Sequence, residues 1–379
     1  MNHPTASLGD LAEITSGFAF KSEQFNSLGN GLPLVRIRDV VDGNSDTYYS
    51  GDYKPEFVVL DGDALIGMDG QFNLSLWRGG RALLNQRVCK VSAVSKRLDQ
   101  SYLLHFLPAA LKEIEDRTPF VTVKHLSVKT LREIAVPLPP LLEQRRIAAI
   151  LDKADALRAK RREAIVKLDQ MLQAVFVDMF GDPLTNSNGW CLQEINNLCT
   201  LVRGSSPRPQ GDPNFFGGPV PRLMVADLTR DGWFVTPRID SLTLEGAKRS
   251  RPTKAGTVVM AVSGNVGLAS IISIDACIHD GFVGFSGLDE SKVLPIFLLM
   301  SLHFLKNSHH GITAGAIFQN LTTTDIKKLA IPVPPMNDQR SYAQRFNAIQ
   351  KQKSKSGIAA DKFEKFYQSI QLQAFGRAR

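Results

Sequence analysis

The sequence has few cysteines and no long apolar run. Its four cysteines, Cys89, Cys191, Cys199 and Cys277, are widely separated and form no CxxC pair. Scattered thiols of this kind are typical of a reducing compartment and argue against a zinc site or a disulfide framework. No run of about eighteen apolar residues could cross a bilayer, and the opening residues MNHPTASLGDLAEI lack the basic and apolar segments of a secretory signal. We therefore expect a cytoplasmic protein that does not enter a membrane.

Sequence motifs of enzymatic chemistry are also missing. The chain contains no GxxxxGK[ST] phosphate-binding loop and no HExxH metal-binding pair, which argues against ATP hydrolysis and metal-dependent hydrolysis by this chain. The glycine-rich segments VSGNVG and GFVGFSG lack a strand–loop–helix context and indicate β-turns. Adjacent side chains such as His309 and His310 point in different directions, which makes them a poor metal pair. We expect no catalytic residue, no cofactor and no metal ion in this chain.

Positive charge is present but unevenly distributed. The 379 residues carry a formal net charge of +8, with 43% hydrophobic and 22% charged residues, which is a globular composition for two to three domains. Residues 336–379 contain nine Lys or Arg against three acids and so contribute +6 of the +8. A basic segment can be a solvated face, a surface that follows DNA phosphates or a docking surface for an acidic partner. Charge alone does not choose among them.

The second half of the chain repeats the first at a fixed spacing. The segment AVPLPPLLEQRRIAAIL at positions 135–151 reappears as AIPVPPMNDQRSYAQRF at positions 330–346, without a gap and at an offset of 195 residues. The identical positions include Pro137, Pro139, Pro140, Gln144 and Arg145 in the first segment and Pro332, Pro334, Pro335, Gln339 and Arg340 in the second.

The repeat extends well beyond this segment. LGDLAEITSG resembles INNLCTLVRG, PLVRIRDV resembles PRLMVADL, DGDALIGMDG resembles AGTVVMAVSG, and ALLNQRVCKV resembles ACIHDGFVGF. Further along, MLQAVFVDMFG falls on FYQSIQLQAFG. Blocks that recur in the same order indicate a duplicated unit of about 190 residues, which is a domain and not a solenoid repeat.

Each unit combines short strands with helices. Runs such as LPLVRI, ALIGM and TVVMAV are rich in apolar and β-branched residues and are interrupted by Gly, Asn and Asp, which predicts strands and turns. SYLLHFLPAALKEI and LPIFLLMSLHFLKN predict helices beside those strands. Pro140 and Pro335 end an extended segment and suit the first turn of a helix. We therefore predict an α+β fold with two β-rich bodies, each followed by a helix.

The two following helices are long and amphipathic. Apolar residues recur with a seven-residue period in both, interrupted in the middle at Arg161 and at Ser356. A helix of about 38 residues spans roughly 57 Å. We predict that the two helices pack together; the alternative is an ordinary helical hairpin that fills one core. The residues predicted to form the contact are Ile147, Ile150, Leu151, Leu157, Ile165, Leu168, Leu172, Phe346, Ile349, Phe363, Tyr367 and Ile370.

These features together resemble the DNA-specificity subunit of type I restriction-modification systems. The resemblance covers essentially the whole chain, and its most specific parts are LGDLAEITSGFAF, GDALIGMDG, LLNQRVCKV and LREIAVPLPPLLEQRRIAAILDKADAL. It implies two target recognition domains, each reading one half of a bipartite DNA sequence. It also implies that the two helices are antiparallel coiled-coil spacers in a pseudo-two-fold duplicated unit. They would set the gap between the half-sites.

The resemblance further implies domain limits and partners. The first target recognition domain would cover residues 1–140, the central spacer helix 141–182, the second domain 183–335 and the C-terminal spacer helix 336–379. The partners would be double-stranded DNA, two modification (methyltransferase) subunits and the restriction (translocase and nuclease) subunits, which would hold S-adenosylmethionine, ATP and Mg²⁺. The segment MNDQRSYAQRFNAIQ is more polar than LLEQRRIAAILDKAD, so the two helices need not bind modification subunits equally.

Base recognition in the major groove requires Arg, Lys, Asn, Gln or His on loops that project from a rigid sheet. In the first body this criterion selects Lys21, Arg36, Arg38, Gln71, Asn73, Arg78, Arg81, Asn85, Gln86, Lys124 and His125. Their counterparts in the second body are Arg203, Arg208, Arg222, Asn265, His279, Gln319 and Asn320, with Arg249, Arg251 and His310 as candidate phosphate contacts. For each single residue the alternative is a solvated surface position or a role in a turn.

Two further classes of function stay open at this point. A self-sufficient nuclease or methyltransferase is disfavoured by the missing motifs, including the Asn-Pro-Pro-aromatic motif of adenine methyltransferases, since Pro139-Pro140 is flanked by leucines. A scaffold whose helices join two ligand-binding domains unrelated to DNA would bind DNA without sequence preference and without dependence on salt.

Overall fold

A computed structural model describes residues 3–118, 124–307 and 322–375. By compactness the chain divides into two units. Unit 1 comprises Met1–Arg162 and Ile358–Arg379, and unit 2 comprises Glu163–Gly357. Each unit mixes helix and sheet, which confirms that part of the fold prediction. The predicted domain limits stay a prediction, because the units divide the chain within its two longest helices.

Unit 1 contains short strands around a small set of helices. Its strands are β1 (Thr5–Ser7), β2 (Ala12–Ser16), β3 (Phe25–Asn26), β4 (Leu32–Val35), β5 (Tyr48–Tyr49), β6 (Val58–Val59), β7 (Ala64–Gly67), β8 (Leu74–Leu76), β9 (Ala82–Leu84), β10 (Val88–Ala93) and β11 (Ala135–Pro137). Its helices are α1 (Leu8–Leu11), α2 (Ile37–Asp42), α3 (Gln100–Arg117), α4 (Val128–Arg132), the first part of α5 (Leu141–Phe180) and the last part of α10 (Met336–Phe375).

Unit 2 repeats this arrangement. Its strands are β12 (Cys191–Glu194), β13 (Thr200–Arg203), β14 (Phe216–Leu223), β15 (Phe234–Val235), β16 (Asp240–Leu242), β17 (Arg251–Thr253), β18 (Val258–Ala261), β19 (Ala269–Ile272), β20 (Ala276–Ile278), β21 (Phe282–Ser286) and β22 (Ala330–Val333). Its helices are the last part of α5, α6 (Val225–Asp231), α7 (Leu244–Lys248), α8 (Pro295–Asn307), α9 (Thr323–Lys328) and the first part of α10 (Met336–Phe375).

The sheets of the two units correspond. In unit 1 the strand orders are β2-β10-β7-β8 and β3-β5-β4-β9-β6, and in unit 2 they are β13-β21-β18-β19-β15 and β16-β14-β20-β17. The pair β4 and β9 is parallel, as is the matching pair β14 and β20. In each unit a two-stranded antiparallel pair, β1 with β11 or β12 with β22, joins the beginning of the body to its end.

The cores lie between the sheets and the helices. In unit 1, Tyr102 and Leu103 of α3 pack with Ile66 of β7 and Val91 of β10, all fully buried. In unit 2, residues of α8 pack in the same way against β18 and β21. The strands are apolar on their inner faces because burial of that surface is the main favourable term in folding.

A buried glutamine builds the joint between body and long helix in both units. Gln144 Nε2 donates to the carbonyl oxygens of Arg97 (2.8 Å) and Pro139 (2.9 Å), and its Oε1 accepts from the Asp99 backbone N–H (2.9 Å). At an offset of 195, Gln339 makes the same three bonds, at 2.8, 2.9 and 2.9 Å, with the backbones of Lys292, Pro334 and Leu294. Both helices begin at the residue after the second proline, as the sequence predicts.

The long helices contact each other within unit 1 through polar side chains. Arg158 donates from Nε and Nη2 to the Glu364 carboxylate (2.8 and 3.0 Å) and from Nη1 to Asp155 (2.8 Å). Its guanidinium lies over the Tyr367 ring, 4.4 Å from the centroid, and the Tyr367 hydroxyl donates to Asp155 (3.1 Å). Positions rise along α5 as they fall along α10, so the two segments run antiparallel in this unit.

Unit 2 contains its own contact between the same two helices. Lys353 Nζ donates to both carboxylate oxygens of Asp169 at 2.7 Å, and the Tyr342 hydroxyl donates to the Leu172 carbonyl at 3.2 Å. Trp233 Nε1 of the body donates to Asp169 at 3.2 Å. Each body is therefore tied to parts of both helices.

Candidate nucleic-acid interface

Three backbone segments of unit 1 lie side by side at one edge of the sheet that contains β7 and β10. The central segment bonds to the turn before β10, where Met68 N–H donates to the Arg87 carbonyl (2.9 Å). On its other side, Leu126 N–H donates to the Met68 carbonyl (2.7 Å) and Gly70 N–H to the Lys124 carbonyl (2.9 Å). These segments or their direct continuations carry the predicted residues Gln71, Asn73, Asn85, Gln86, Lys124 and His125.

Arg36 and Arg38 lie close to this edge. The parallel strands β4 and β9 end together, and Asn85 N–H donates to the Val35 carbonyl at 3.3 Å. Arg36 then precedes α2, where its backbone N–H donates to the buried Asp39 carboxylate (2.9 Å) and its side chain stays exposed. Arg38 is exposed and donates to Asp39.

Gly17 allows this edge to form. An added Cβ at Gly17 would lie 2.0 Å from the Asn85 carbonyl oxygen, and one at Gly204 would lie 2.0 Å from the matching oxygen of His279. Only glycine permits such a close approach of two backbones. The exposed Lys21 follows shortly after Gly17 and opens a short helical turn.

Two predicted residues of unit 1 lie elsewhere. Arg78 follows β8 and Arg81 precedes β9, which places both at the strand ends opposite to Asn73 and Asn85. Arg81 Nη2 contacts the Tyr53 hydroxyl at 3.4 Å. The structure therefore does not bring these two arginines to the edge that carries the other candidates.

Two other predicted residues at the edge point inward. Asn85 is 8% exposed, and its Oδ1 is buried without a hydrogen-bond partner among the described residues. Lys124 Nζ donates to the Glu115 carbonyl at 2.5 Å and is half-buried. Both side chains are engaged in or under the turns, whereas Gln71, Asn73, Gln86 and His125 are exposed.

Two charged residues of the same edge, Asp69 and Arg87, are not among the residues predicted from the sequence. Asp69 Oδ1 lies 2.5 Å from His125 Nδ1, and Asp69 Oδ2 lies 3.6 Å from Arg87 Nε. Asp69 is not among the predicted DNA contacts because a carboxylate carries the same sign of charge as the DNA phosphates. Arg87 had a signal in the repeat, because it aligns with Gly281 and thus marks a difference between two equivalent turns.

In unit 2 the corresponding edge forms around the turn between β20 and β21. Gly204 N–H donates to the Phe282 carbonyl (3.0 Å), and Val262 N–H donates to the Gly281 carbonyl (2.8 Å). The backbone of Gly204, next to Arg203, thus lies against the backbone of His279. The exposed Arg208 lies 3.7 Å from Asp280 of the same turn.

Arg222 is a structural centre and not a surface group. It is 5% exposed, and its guanidinium donates to Asp240 (2.5 Å) and to the Ser206 hydroxyl (3.0 Å). Ser206 in turn donates to Asp280 (2.6 Å). Arg222 therefore supports the loop and the turn of unit 2 from inside the fold, and its role as a base contact stays a prediction.

His279 is held in one tautomer. Burial, with the Arg222 charge acting in the same direction, lowers the pKa of His279. Its Nδ1 accepts from the Gly281 backbone N–H at 2.9 Å, so Nε2 carries the proton of the neutral ring. A proton at Nε2 makes this atom a hydrogen-bond donor.

The remaining candidates of unit 2 differ in their environments. Arg249 is exposed and lies over the Phe215 ring at 4.4 Å, Arg251 is exposed on β17, and Asn265 accepts from Lys306 Nζ at 2.6 Å. His310, Gln319 and Asn320 lie outside the described residues. All the predicted DNA contacts stay predictions at the level of single residues.

The residues predicted for the helix contact are buried to different degrees. Leu151, Leu172 and Phe346 are 0% exposed, whereas Ile150 and Leu157 are 41% and 47% exposed. The other residues of this set are buried or half-buried, namely Ile147, Ile165, Leu168, Ile349, Phe363, Tyr367 and Ile370. Counting apolar residues missed the charged contacts of Arg158 and Asp169, because a heptad pattern does not weigh polar pairs.

In the described part of the chain no group of His, Cys, Asp and Glu side chains could hold a metal ion. None of the described helices is long and apolar enough to cross a membrane.

This chain resembles known proteins over most of its length. The family model of the type I restriction modification DNA specificity domain matches the chain twice, over residues 4–167 and 190–358. The type I restriction enzyme EcoBI specificity subunit of Escherichia coli is 30% identical over 376 residues, covering 90% of this chain and 78% of that protein. The StySPI specificity subunit of Salmonella potsdam is 22% identical over 384 residues, covering 91% and 81%.

A solved structure supports the fold. The crystal structure of the type I restriction-modification S subunit from M. genitalium matches with a TM-score of 0.57 at 12% identity, covering 100% of this chain and 97% of that one. The two family matches confirm the prediction of two domains in tandem. The chain therefore belongs to the type I restriction modification DNA specificity domain family.

Proposed function

We propose that this chain is the non-catalytic DNA-specificity subunit of a type I restriction-modification complex, in which each body reads one half of a bipartite DNA target. The observation that carries the proposal is the recurrence of one framework with different surface side chains. The Gln144 and Gln339 joints recur at an offset of 195, whereas the turns at the two sheet edges differ in sequence. Two similar frameworks with different polar turns suit two different half-sites.

The long helices would separate the two bodies as an antiparallel coiled-coil spacer. This part of the proposal is supported by the length of α5 and α10, 40 residues each, and by the contacts of Arg158 with Glu364 and of Asp169 with Lys353. A continuous α-helix is a stiff element of about 1.5 Å per residue. The number of residues in the helices can therefore set the length of the gap between the two half-sites.

The chemistry would come from other chains. We propose that the helices dock two modification subunits and that restriction subunits complete the complex. S-adenosylmethionine, ATP and Mg²⁺ would then bind to those partners. The exposed apolar residues Leu142, Ile150 and Leu157 on α5 support a docking role, because exposed apolar side chains on a helix favour contact with another protein.

Footprinting of the chain with its modification partner on DNA tests the proposal. We expect two protected blocks separated by an unprotected gap, with binding that weakens as salt rises. A single continuous protected block would contradict two independent half-site readers. Binding without sequence preference and without salt dependence would instead favour the scaffold function.

A further inference from the structure

Asp69, Arg87 and His125 form a charged cluster at the surface of unit 1. Their side chains are 25%, 53% and 45% exposed. The backbone hydrogen bonds of Met68, Gly70 and Leu126 hold the three segments that carry them in register. The cluster is therefore accessible to a ligand and built on a rigid support.

Arg87 adopts a backbone conformation that its side chain disfavours. Its φ is +70°, and the other described non-glycine residue with positive φ is Asn186, at +47°. A positive φ is sterically unfavourable for a residue with a Cβ, whereas glycine adopts it without strain. Such positions are concentrated at functional sites. The strained position of Arg87 therefore suggests that its side chain has a function there.

The second unit shows that the turn itself does not need an arginine. Gly281 occupies the equivalent position and makes the equivalent bond, accepting from Val262 N–H at 2.8 Å. Ser263 aligns with Asp69, and the next residues, Gly70 and Gly264, have φ of +73° and +71°. The same backbone hydrogen bond thus forms with an Arg–Asp pair in one domain and with Gly–Ser in the other, although Gly281 does not share the positive φ of Arg87.

The position of the proton on His125 determines which nitrogens of Arg87 are free to donate hydrogen bonds to a ligand. A separation of 2.5 Å between His125 Nδ1 and Asp69 Oδ1 requires a proton on Nδ1, so this nitrogen cannot also accept from Arg87 Nη1 at 3.3 Å. Arg87 is then oriented through its Nε, 3.6 Å from Asp69 Oδ2. In the described part of the chain its Nη2 has no hydrogen-bond partner, so the two terminal nitrogens remain available as donors.

We propose that Arg87, positioned by Asp69, recognises a guanine in the half-site read by the first domain. Two parallel terminal donors match the O6 and N7 acceptors of guanine in the major groove, and the adjacent exposed Gln86 and Gln71 place the cluster among polar groups suited to that groove. Asp69 is a positioning residue, because it orients the guanidinium. The inference rests on the proposed function of the chain.

The test is selection of binding sites from a duplex DNA library that contains two randomised blocks separated by gaps of several lengths. The probe is the full-length chain in complex with its modification partner. Arg87→Gly places glycine at a φ of +70°, which glycine adopts without steric strain, so its melting temperature should equal or exceed that of the wild type. We expect the preference for guanine at one position of one half-site to fall at least about fivefold, with the other half-site unchanged.

Two more variants separate positioning from charge. Asp69→Asn should weaken the preference for the same guanine while the other positions and the melting temperature stay as in the wild type. Arg97→Gln removes an exposed positive charge beyond the opposite end of β10 and should leave every base preference unchanged.

The outcomes are distinguishable. An unchanged motif with Arg87→Gly would overturn the inference and leave the proposed function intact. Uniform weakening at all positions would also overturn it, because a phosphate contact carries no base preference. If the wild-type complex selects no bipartite motif, the proposed function fails and the inference fails with it.

Discussion

Gln144 and Gln339 are fully buried polar side chains, and each satisfies three backbone groups. A buried donor or acceptor left without a partner costs about 1–3 kcal/mol. These glutamines therefore do more than fill space. They fix the angle at which each long helix leaves its body, since each joins the proline segment to the loop that precedes α3 or α8.

Replacing Gln144 with methionine keeps the volume and removes all three hydrogen bonds. We expect Gln144→Met to lower the free energy of unfolding by roughly 2–4 kcal/mol, measured by urea denaturation. The control is Gln170→Met, at an exposed position of the same helix, which should change it by less than about 0.5 kcal/mol. Equal effects of both variants would contradict the structural role of Gln144.

His303 predicts the pH dependence of stability. Burial, aided by Lys306 and opposed by Asp169, lowers the pKa of His303 to about 4, below the ordinary value of 6.5. Between these values the unfolded chain binds the proton more readily than the folded chain. The stability that the neutral ring contributes is thus complete above pH 6.5 and is lost as the pH falls towards 4.

We expect His303→Gln to reduce the loss of unfolding free energy between pH 7 and pH 4 by roughly 2–3 kcal/mol, measured by denaturation at several pH values. A variant whose stability falls with pH as steeply as that of the wild type would show that His303 is not the group responsible.

At the scale of elements, the contact between α5 and α10 in unit 1 centres on Arg158. Its side chain is 23% exposed, donates twice to Glu364 and lies over Tyr367. Bidentate charge-assisted bonds of this kind are stronger than isolated surface ion pairs.

A double-mutant cycle measures this contact. We expect Arg158→Ala and Glu364→Ala each to destabilise the protein, with a coupling energy of about 1–2 kcal/mol. Arg162→Ala, at an exposed position of the same helix, should show no coupling to Glu364→Ala. A coupling near zero for the first pair would show that solvent screens the contact.

The proposed spacer predicts a change in target length. Inserting about four residues, roughly one helical turn, into both helices near Arg161 and Ser356 should lengthen the recognised gap and leave both half-sites unchanged. Site selection with the complex measures this. An unchanged gap would refute the idea that helix length sets the spacing.

For the molecule as a whole, the duplication predicts that the two bodies read DNA independently. Exchanging residues 8–134 for the same body of a relative should change one half-site of the selected motif and keep the other half-site and the gap. The ends of the exchanged segment lie between β1 and β11, so the antiparallel pair that closes the body is retained. A change in both half-sites would show that the bodies are coupled.

Much of this organisation follows from local sequence. Pro140 and Pro335 place the starts of the long helices because proline lacks a backbone donor and restricts the residue before it. The repeat at an offset of 195 revealed two domains, and the glutamine that it contains proved to make the same bonds in both. The choice of Arg, Lys, Asn, Gln and His residues in predicted loops also pointed to the sheet edge where Gln86 and His125 are exposed.

The environment of single side chains could not be obtained in this way. Arg222 and Asn85 have residue types suited to DNA, yet both are buried, because their orientation depends on strands that are distant in the chain. The Asp69–Arg87–His125 cluster and the Arg158–Glu364 pair join residues 18 to 206 positions apart. Periodicity and motif spacing describe neighbours along the chain, whereas such contacts form only when sheets and helices pack, and that packing sets which charges meet and which side chains remain at the surface.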